Sequence, residues 1–391
     1  MDLLDLLIVV FAVSAIIGGY RLGFIARAAS WIGLVLGLAI AAHFLPNVVD
    51  ALRGSPPGNK LLIVAATLIG AGFIGQALGL LLGASFHAKL PVGPLRQVDR
   101  VVGAVAGVVG VTLAVWLLLP AMSDVQGWSS QQARNSAIAR GIDQVFPQPP
   151  DTLQALRRLV GSNDFPRVFD ALRPSENTGA PPGAVPIPAA VQQRVAASTV
   201  KVEGIACSRV QDGSGFSAAP DLVVTNAHVV AGERSTSVIT LGGKRLKATV
   251  VQFDPNRDLA LLRVPGLGQA PLPIATARPG SEGAVFGHPN GQADLAITPA
   301  AIRQQVTAVG RDLYDAHETR RQVFILASDL APGDSGGGLV NPAGAVVGVA
   351  FAIAPDRPGT SYALTTDELR PVLAAGGAGS AVSTGPCLSE A

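Results

Sequence analysis

Cysteine is nearly missing: 391 residues hold only Cys207 and Cys387, and the five histidines at 43, 87, 228, 288 and 317 have no ligand-like partner at short spacing. That excludes a cysteine- or histidine-clustered metal fold, and since no phosphate-cradling glycine loop precedes a helix, neither a metal nor an organic cofactor is expected. Charge is scarce as well, at 14% of residues with a net +2, and no basic tract is interleaved with aromatics. Nothing therefore points to nucleic acid. What the chain has in excess is apolar residues, 49% of the total. This exceeds what an ordinary soluble protein carries and implies a membrane part, in a chain long enough for two or three domains.

The apolar excess lies in the first 120 residues, where stretches 3–19, 26–45, 61–82 and 101–119 each approach the length of a membrane-spanning helix. Asp2 and Asp5 lead the first stretch while Arg21 and Arg27 follow it, which argues for a retained helix over a cleaved signal peptide. Arg21 and Arg27 after the first stretch, and Lys89, Arg96 and Arg100 after the third, place those two connections in the cytoplasm and both termini outside, against a smaller contribution from Arg53 and Lys60 between them. Gly33 with Gly37, Gly79 with Gly83 and Gly103 with Gly107 have the small-xxx-small spacing of closely packed helices. A four-helix anchor is expected, with Asp5 the one feature that points to a transport or partner site instead. An extracytoplasmic location for the rest of the chain allows Cys207 and Cys387 to pair as a disulfide.

Residues 121–190 read as a connecting region. Apolar spacing at 151–160 and 165–172 predicts short amphipathic helices, and the Gly-, Pro- and Ala-rich run from Pro174 to Ala190 reads as a linker, either a tether or a site of cleavage. From 191 to 391 the pattern becomes short apolar or alternating runs at 198–203, 215–217, 222–225, 237–241, 248–253, 259–264, 283–287, 303–309, 323–327, 338–340 and 346–353. Such spacing, with no long helix between, predicts an all-β sandwich or barrel.

Three motifs in this region carry chemistry: Val224-Thr225-Asn226-Ala227-His228-Val229-Val230, Asn256-Arg257-Asp258-Leu259-Ala260, and Pro332-Gly333-Asp334-Ser335-Gly336-Gly337-Gly338. A serine hydroxyl needs a base that titrates near neutrality and a carboxylate to orient that base, so His228, Asp258 and Ser335 are the expected catalytic residues. Asp254 competes with Asp258 for the acid, but Asp258 leads directly into an apolar strand whereas Asp254-Pro255-Asn256 reads as a turn. The backbone N–H groups of Gly333 and Ser335 are the candidate oxyanion hole. The order His, Asp, Ser with these neighbours resembles the trypsin-like serine proteases. With Gly213-Ser214-Gly215-Phe216 and Gly287-His288-Pro289-Asn290-Gly291, residues from about 195 to 375 resemble the HtrA-like members, without a following PDZ-like domain.

That resemblance implies two β-barrels of the chymotrypsin type with the site between them. The N-terminal region, from Asp5 through Gly-Tyr-Arg-Leu-Gly-Phe into the second helix, looks like the CvpA-type (colicin V production) membrane family. Together the two halves resemble the MarP-type, membrane-anchored acid-resistance proteases of actinobacteria. The fold implied is a four-helix transmembrane region, 1–120, ahead of a double β-barrel, 191–391. The function implied is an extracytoplasmic, periplasmic-side serine endopeptidase acting on envelope proteins under stress. For substrate binding, Asp329 is either the acidic floor of a specificity pocket or a loop aspartate, and Val349, Ala350 and Phe351 supply an edge for pairing with an extended peptide. A peptide-binding scaffold without catalysis is the alternative that an intact triad argues against.

Overall fold

The computed structural model describes residues 2–51, 57–88, 93–124, 127–147, 175–206, 209–376 and 380–388. The chain divides into two compact units, Met1–Ser162 and Asn163–Ala391. The first contains the long helices α1 (Leu3–Ala51), α2 (Pro57–Ala88) and α3 (Pro94–Asp124), followed by the short α4 (Trp128–Asn135) and α5 (Ala137–Val145).

Among the described residues three helices, not four, are long and apolar enough to cross a membrane: Leu3–Leu45, Ile63–Ala88 and Pro94–Pro120. The first two expected stretches have run together into α1, and Gly23 interrupts it with φ 79° and ψ 170°. The break has a polar cause. Asp99 of α3 accepts hydrogen bonds from the Ile25 N–H at 3.0 Å and from His87 Nδ1 at 2.6 Å, so a carboxylate caps the second half of α1. A Cβ on Gly23 would overlap both Asp99 and His87.

The small residues act as their spacing predicts. A Cβ at Gly33, Gly37 or Gly75 would overlap backbone of the facing helix, which joins the second half of α1 to α2, and Gly103 and Gly107 of α3 meet Gly19 and Ala15 in the first half. Asp5 is buried and acts as a tether. It accepts from Ser136 Oγ at 2.5 Å and from the Ile138 N–H at 3.1 Å, satisfying the N-terminus of α5. The buried charge of Asp5 is thus used within this unit, at the start of α5.

In the second unit α6 (Ala189–Ala197) leads into a closed barrel, β1 (Thr199–Ala206), β2 (Arg209–Ala219), β3 (Leu222–Thr225), β4 (Glu233–Thr240), β5 (Arg245–Asp254) and β6 (Leu259–Arg263), in the order β1-β2-β3-β6-β5-β4, with the short α7 (Ala227–Val230) after β3. A second closed barrel contains β7 (Glu282–Gly287), β8 (Ala296–Arg311), β9 (Glu318–Ala327), β10 (Gly338–Val340), β11 (Val346–Ile353) and β12 (Thr360–Thr365), in the order β10-β11-β12-β9-β8-β7, and α8 (Thr366–Ala375) follows. Strand β12 and helices α6 and α8 lack a strong apolar pattern and were not expected.

Apolar runs such as Leu259-Ala260-Leu261-Leu262 do not alternate with polar residues because both faces are buried. Ala260 and Leu262 point into the first barrel with Val200, Val223 and Val250, while Leu259 and Leu261 join Phe216, Phe286, Ile325 and Phe351 in an apolar layer shared by the two barrels. Phe324 and Leu326 fill the second barrel while their neighbours Val323 and Ile325 face the shared layer. Each large side chain so buried contributes about 1.5–3 kcal/mol, and together they hold the barrels in the register that builds the site.

The Pro-rich run after residue 174 is fastened to the second barrel from Ser175 to Ile187, unlike a free linker. The Ser175 N–H and Oγ donate to Asp356 at 2.9 and 2.5 Å, Arg303 Nε donates to the Thr178 carbonyl at 2.9 Å, and Ile187 enters the core. Side chains supply the bonds that a proline-rich backbone lacks. The amphipathic helices expected at 151–160 and 165–172 lie outside the described residues.

Candidate active site

His228 lies on α7, directly after β3, and Asp258 ends the turn between β5 and β6. Asp258 is fully buried and has φ 57°, a left-handed conformation that aspartate tolerates better than most residues. Both its carboxylate oxygens serve the histidine: Oδ1 accepts from the His228 N–H at 2.8 Å and Oδ2 meets Nδ1 at 2.7 Å. Because an ionised carboxylate is an acceptor only, Nδ1 carries the proton and Nε2 is left as the basic nitrogen. Asn226 Nδ2 donates to the Asp258 carbonyl at 2.7 Å and fixes the turn. Asp254 is occupied otherwise, accepting from the N–H groups of Asn256 and Arg257 at 3.0 and 2.9 Å, so it shapes the turn and does not reach the imidazole.

The serine loop comes from the second barrel and docks on the first. Gly333 and Gly336 have φ of 96° and 86°, and a Cβ on Gly336 would overlap the Ser214 carbonyl and the Thr225 hydroxyl, three residues before His228. Ser214 of β2 is the joint. Its N–H donates to the Ser335 carbonyl at 2.8 Å, its Oγ donates to the Gly333 carbonyl at 2.7 Å, and the same Oγ accepts from the His288 N–H at 2.8 Å. With these carbonyls turned toward β2, the N–H groups of Gly333 and Ser335 are engaged by no other group among the described residues. Unengaged N–H groups on a tight glycine loop are the donors from which an oxyanion hole is built.

Two further ionisable groups border the loop. Asp334 is buried, its Oδ2 accepts from the Ala331 N–H at 2.9 Å, and burial pushes its carboxyl up to about 6. His288 is also buried, and desolvation holds its imidazole below the usual histidine range, which keeps it neutral near the site.

The expected substrate-binding residues separate. Val349 is paired with Gly338 on one side and Leu364 on the other, and Ala350 exchanges hydrogen bonds with Gly336 and Gly337 at 2.8 and 2.9 Å. Neither has a free edge. Phe351 sits at the register shift between Ala350 and Ala352, beyond the last β10 partner, so an open edge begins there. Asp329 is exposed, near Gly359 and the fastened segment at Pro181. Cys207 lies outside the described residues, and Cys387, which carries no free thiol, packs against Gly232, four residues after His228.

Ser214 was not singled out by sequence reading. The structure explains its glycine neighbour, since a Cβ at Gly213 would press on Val229 and, at 3.1 Å, on the Ser335 carbonyl.

Comparison with known proteins agrees with both units. Residues 213–349 match the trypsin-like peptidase domain and residues 4–147 match the colicin V production protein. The serine protease Rv3671c of Mycobacterium tuberculosis is 34% identical over 99% of this chain and 98% of its own length. The putative serine protease HhoB of Synechocystis is 33% identical over 39% of this chain and 37% of its own. The crystal structure of the Rv3671c protease in its active form is 39% identical, covers 56% of this chain and 99% of that one, and aligns with a TM-score of 0.51.

Proposed function

We infer the mechanism from one premise: the chain belongs to the family of trypsin-like serine proteases with a colicin-V-type membrane region that includes Rv3671c, and is itself a membrane-bound serine protease. Ser335 is the nucleophile, His228 the general base and then acid, and Asp258 the residue that orients the imidazole and stabilises its charged form. His228 Nε2 takes the Ser335 proton as Oγ bonds to the scissile carbonyl carbon. The carbonyl oxygen gains negative charge and is received by the Gly333 and Ser335 N–H groups. His228 then gives the proton to the leaving amine as the C–N bond breaks, and water, activated by the same imidazole, hydrolyses the acyl-enzyme. The observation that carries this reading is the double attachment of His228 to the fully buried Asp258.

Substrates are proteins, and the open edge from Phe351 onward pairs with them in extended form. Asp329, six residues before Ser335, is the acidic group we read as favouring arginine or lysine in the substrate. The division into a membrane region 1–120, a connecting region 121–190 and a protease domain 191–391 is our reading of the functional parts. Within the first of these, α1 crosses twice, turning at Gly23, because its 43-residue span is about 65 Å of helix against about 30 Å of hydrocarbon. Four crossings would keep both termini on one side, and the arginines and lysine after the first and third stretches favour the extracytoplasmic side for the protease domain, where Cys207 and Cys387 pair and envelope proteins are cleaved under acid or other stress.

The test uses the full chain in detergent micelles or nanodiscs. A fluorophosphonate probe labels the wild type and the chain cleaves an unstructured protein, while Ser335→Ala does neither and His228→Ala labels at least about 100-fold more slowly. Labelling that persists in Ser335→Ala, or a folded wild type that neither labels nor cleaves between pH 5 and 8, overturns the assignment.

A further inference from the structure

The turn that carries Asp258 belongs to the first barrel, yet the second barrel holds it at three points. The Leu313 N–H, from the β8–β9 hairpin, donates to the Pro255 carbonyl at 3.0 Å. Arg321 Nε, from β9, donates to the Asn256 carbonyl at 2.7 Å. Glu368 of α8 stands 3.1 Å from Arg257 Nε, while its other oxygen accepts from the Gln322 N–H at 2.8 Å. Residues 255, 256 and 257 are thus each held from across the barrel boundary, immediately before the acid.

Arg321 is the unusual member. It is 3% exposed, a rare state for arginine, and burying a guanidinium is costly unless its donors are satisfied. Among the described residues it forms no direct ion pair. Its donors go to two main-chain carbonyls, Asn256 at 2.7 Å and Arg311 at 2.5 Å, while Asp258, Glu368, Asp254 and Asp312 surround it electrostatically. A charge spent on carbonyls of a turn and of a neighbouring strand gives little net stability for its burial cost. It does fix the separation of those carbonyls through a rigid planar fork. Asp258, fully buried with both oxygens committed to His228, also has in Arg321 a permanent positive charge close by.

We propose that Arg321 is a positioning residue for the catalytic acid: its guanidinium clamps the Asp254–Asp258 turn to the β8–β9 hairpin, so that Asp258 meets His228 only when the two barrels are docked. The proposal rests on the triad reading above. Arg321 touches neither substrate nor reacting atoms and acts through Asp258.

The experiment compares full-length wild type, Arg321→Lys, Arg321→Gln and Arg321→Met in nanodiscs, measuring kcat and KM per active site titrated with fluorophosphonate, together with Tm. Loss of the clamp misplaces the acid and not the cleft, so Arg321→Met is expected to lose about 30- to 100-fold in kcat with KM changed less than about 2-fold. Arg321→Gln, which keeps one donor for the Asn256 carbonyl, falls between, and Arg321→Lys, a point charge without the fork, loses about 10-fold. A side chain that only fills space would lower Tm and leave kcat per titrated site within about 2-fold of wild type, and that result overturns the proposal. If Arg321→Met gives no folding transition, Arg321→Lys decides, and wild-type kcat in it is equally fatal. A wild type that does not label at Ser335 fails at the earlier step and removes the triad reading along with this one.

Discussion

Replacing Ser214 by alanine removes one oxygen from the place where the two barrels meet at the serine loop. Ser214 is fully buried, and its Oγ serves two buried main-chain groups at once, donating to the Gly333 carbonyl at 2.7 Å and accepting from the His288 N–H at 2.8 Å. Alanine keeps the backbone bond from residue 214 to the Ser335 carbonyl but strands both of those partners. At about 1–3 kcal/mol for each buried group left unsatisfied, the cost is roughly 2–6 kcal/mol, with about 4 as the central value. For a unit of this size that lowers Tm by about 8–16 °C. Activity falls for a separate reason. The serine loop, no longer held at the Gly333 carbonyl, shifts as a whole and carries the Gly333 and Ser335 N–H groups proposed to receive the oxyanion with it, a loss of about 100-fold in kcat by analogy with removal of one oxyanion donor. Thermal unfolding and fluorophosphonate labelling of the full chain measure the two effects independently. A Ser214→Ala chain that melts within about 2 °C of wild type and labels at the same rate refutes the role given to this hydroxyl.

Burial pushes the Glu233 carboxyl from 4.5 up to about 8, so the folded chain holds a proton that the unfolded chain releases; the resulting stability is complete below about 4.5 and lost as pH rises toward 8. Glu233→Gln should flatten that fall, on the order of 4 kcal/mol, and equal slopes of Tm against pH in variant and wild type would sink the idea. Asp334, raised to about 6 by burial, behaves in the same sense over a lower range, and Asp334→Asn should retain the bond from the Ala331 N–H and keep kcat within about 5-fold while removing the stability loss near pH 6. A larger loss of kcat would show that the carboxyl itself takes part. In the membrane unit a side chain at Gly75 meets the backbone at Gly33 and Gly37, so Gly75→Leu should force α1 and α2 apart and aggregate on size-exclusion chromatography in mild detergent. A monodisperse peak would argue against that packing.

The parts of the site that were legible are those whose chemistry is local. The contact between His228 and Asp258 could be anticipated because a base and its acid must sit at strand ends, and the preference for Asp258 over Asp254 followed from turn grammar that the structure repeats in the hydrogen bonds of Asn256 and Arg257. The apolar strands were legible too, although their two-sided burial hid which face met which core. What escaped was polar and distant. Ser214 meets residues 119 and 74 positions away, Arg321 meets one 65 away, and Ser175 reaches Asp356 across 181. A lone serine or arginine in a strand has no local pattern that announces such a partner, and a proline-rich run has the composition of a linker whether or not side chains fasten it.

These distant bonds follow from building the site between two barrels. Each barrel closes its own hydrogen-bond ladder, so no strand pairing carries alignment from one to the other. The shared apolar layer supplies adhesion but is tolerant of small shifts, since dispersion contacts are individually weak and non-directional. Directional bonds must therefore set the last ångström, and they are found on both sides of the catalytic centre: Ser214 of the first barrel holds the serine loop of the second, and Arg321 of the second holds the acid turn of the first. With each barrel clamping the other's contribution, disturbing either clamp displaces a different one of the residues proposed to act together, Ser335 or Asp258. The double variant Ser214→Ala with Arg321→Lys should then lose kcat by less than the product of the single losses, because once either member is misplaced the remaining geometry has less to lose. Fully multiplicative losses would mean that the two clamps act on independent steps.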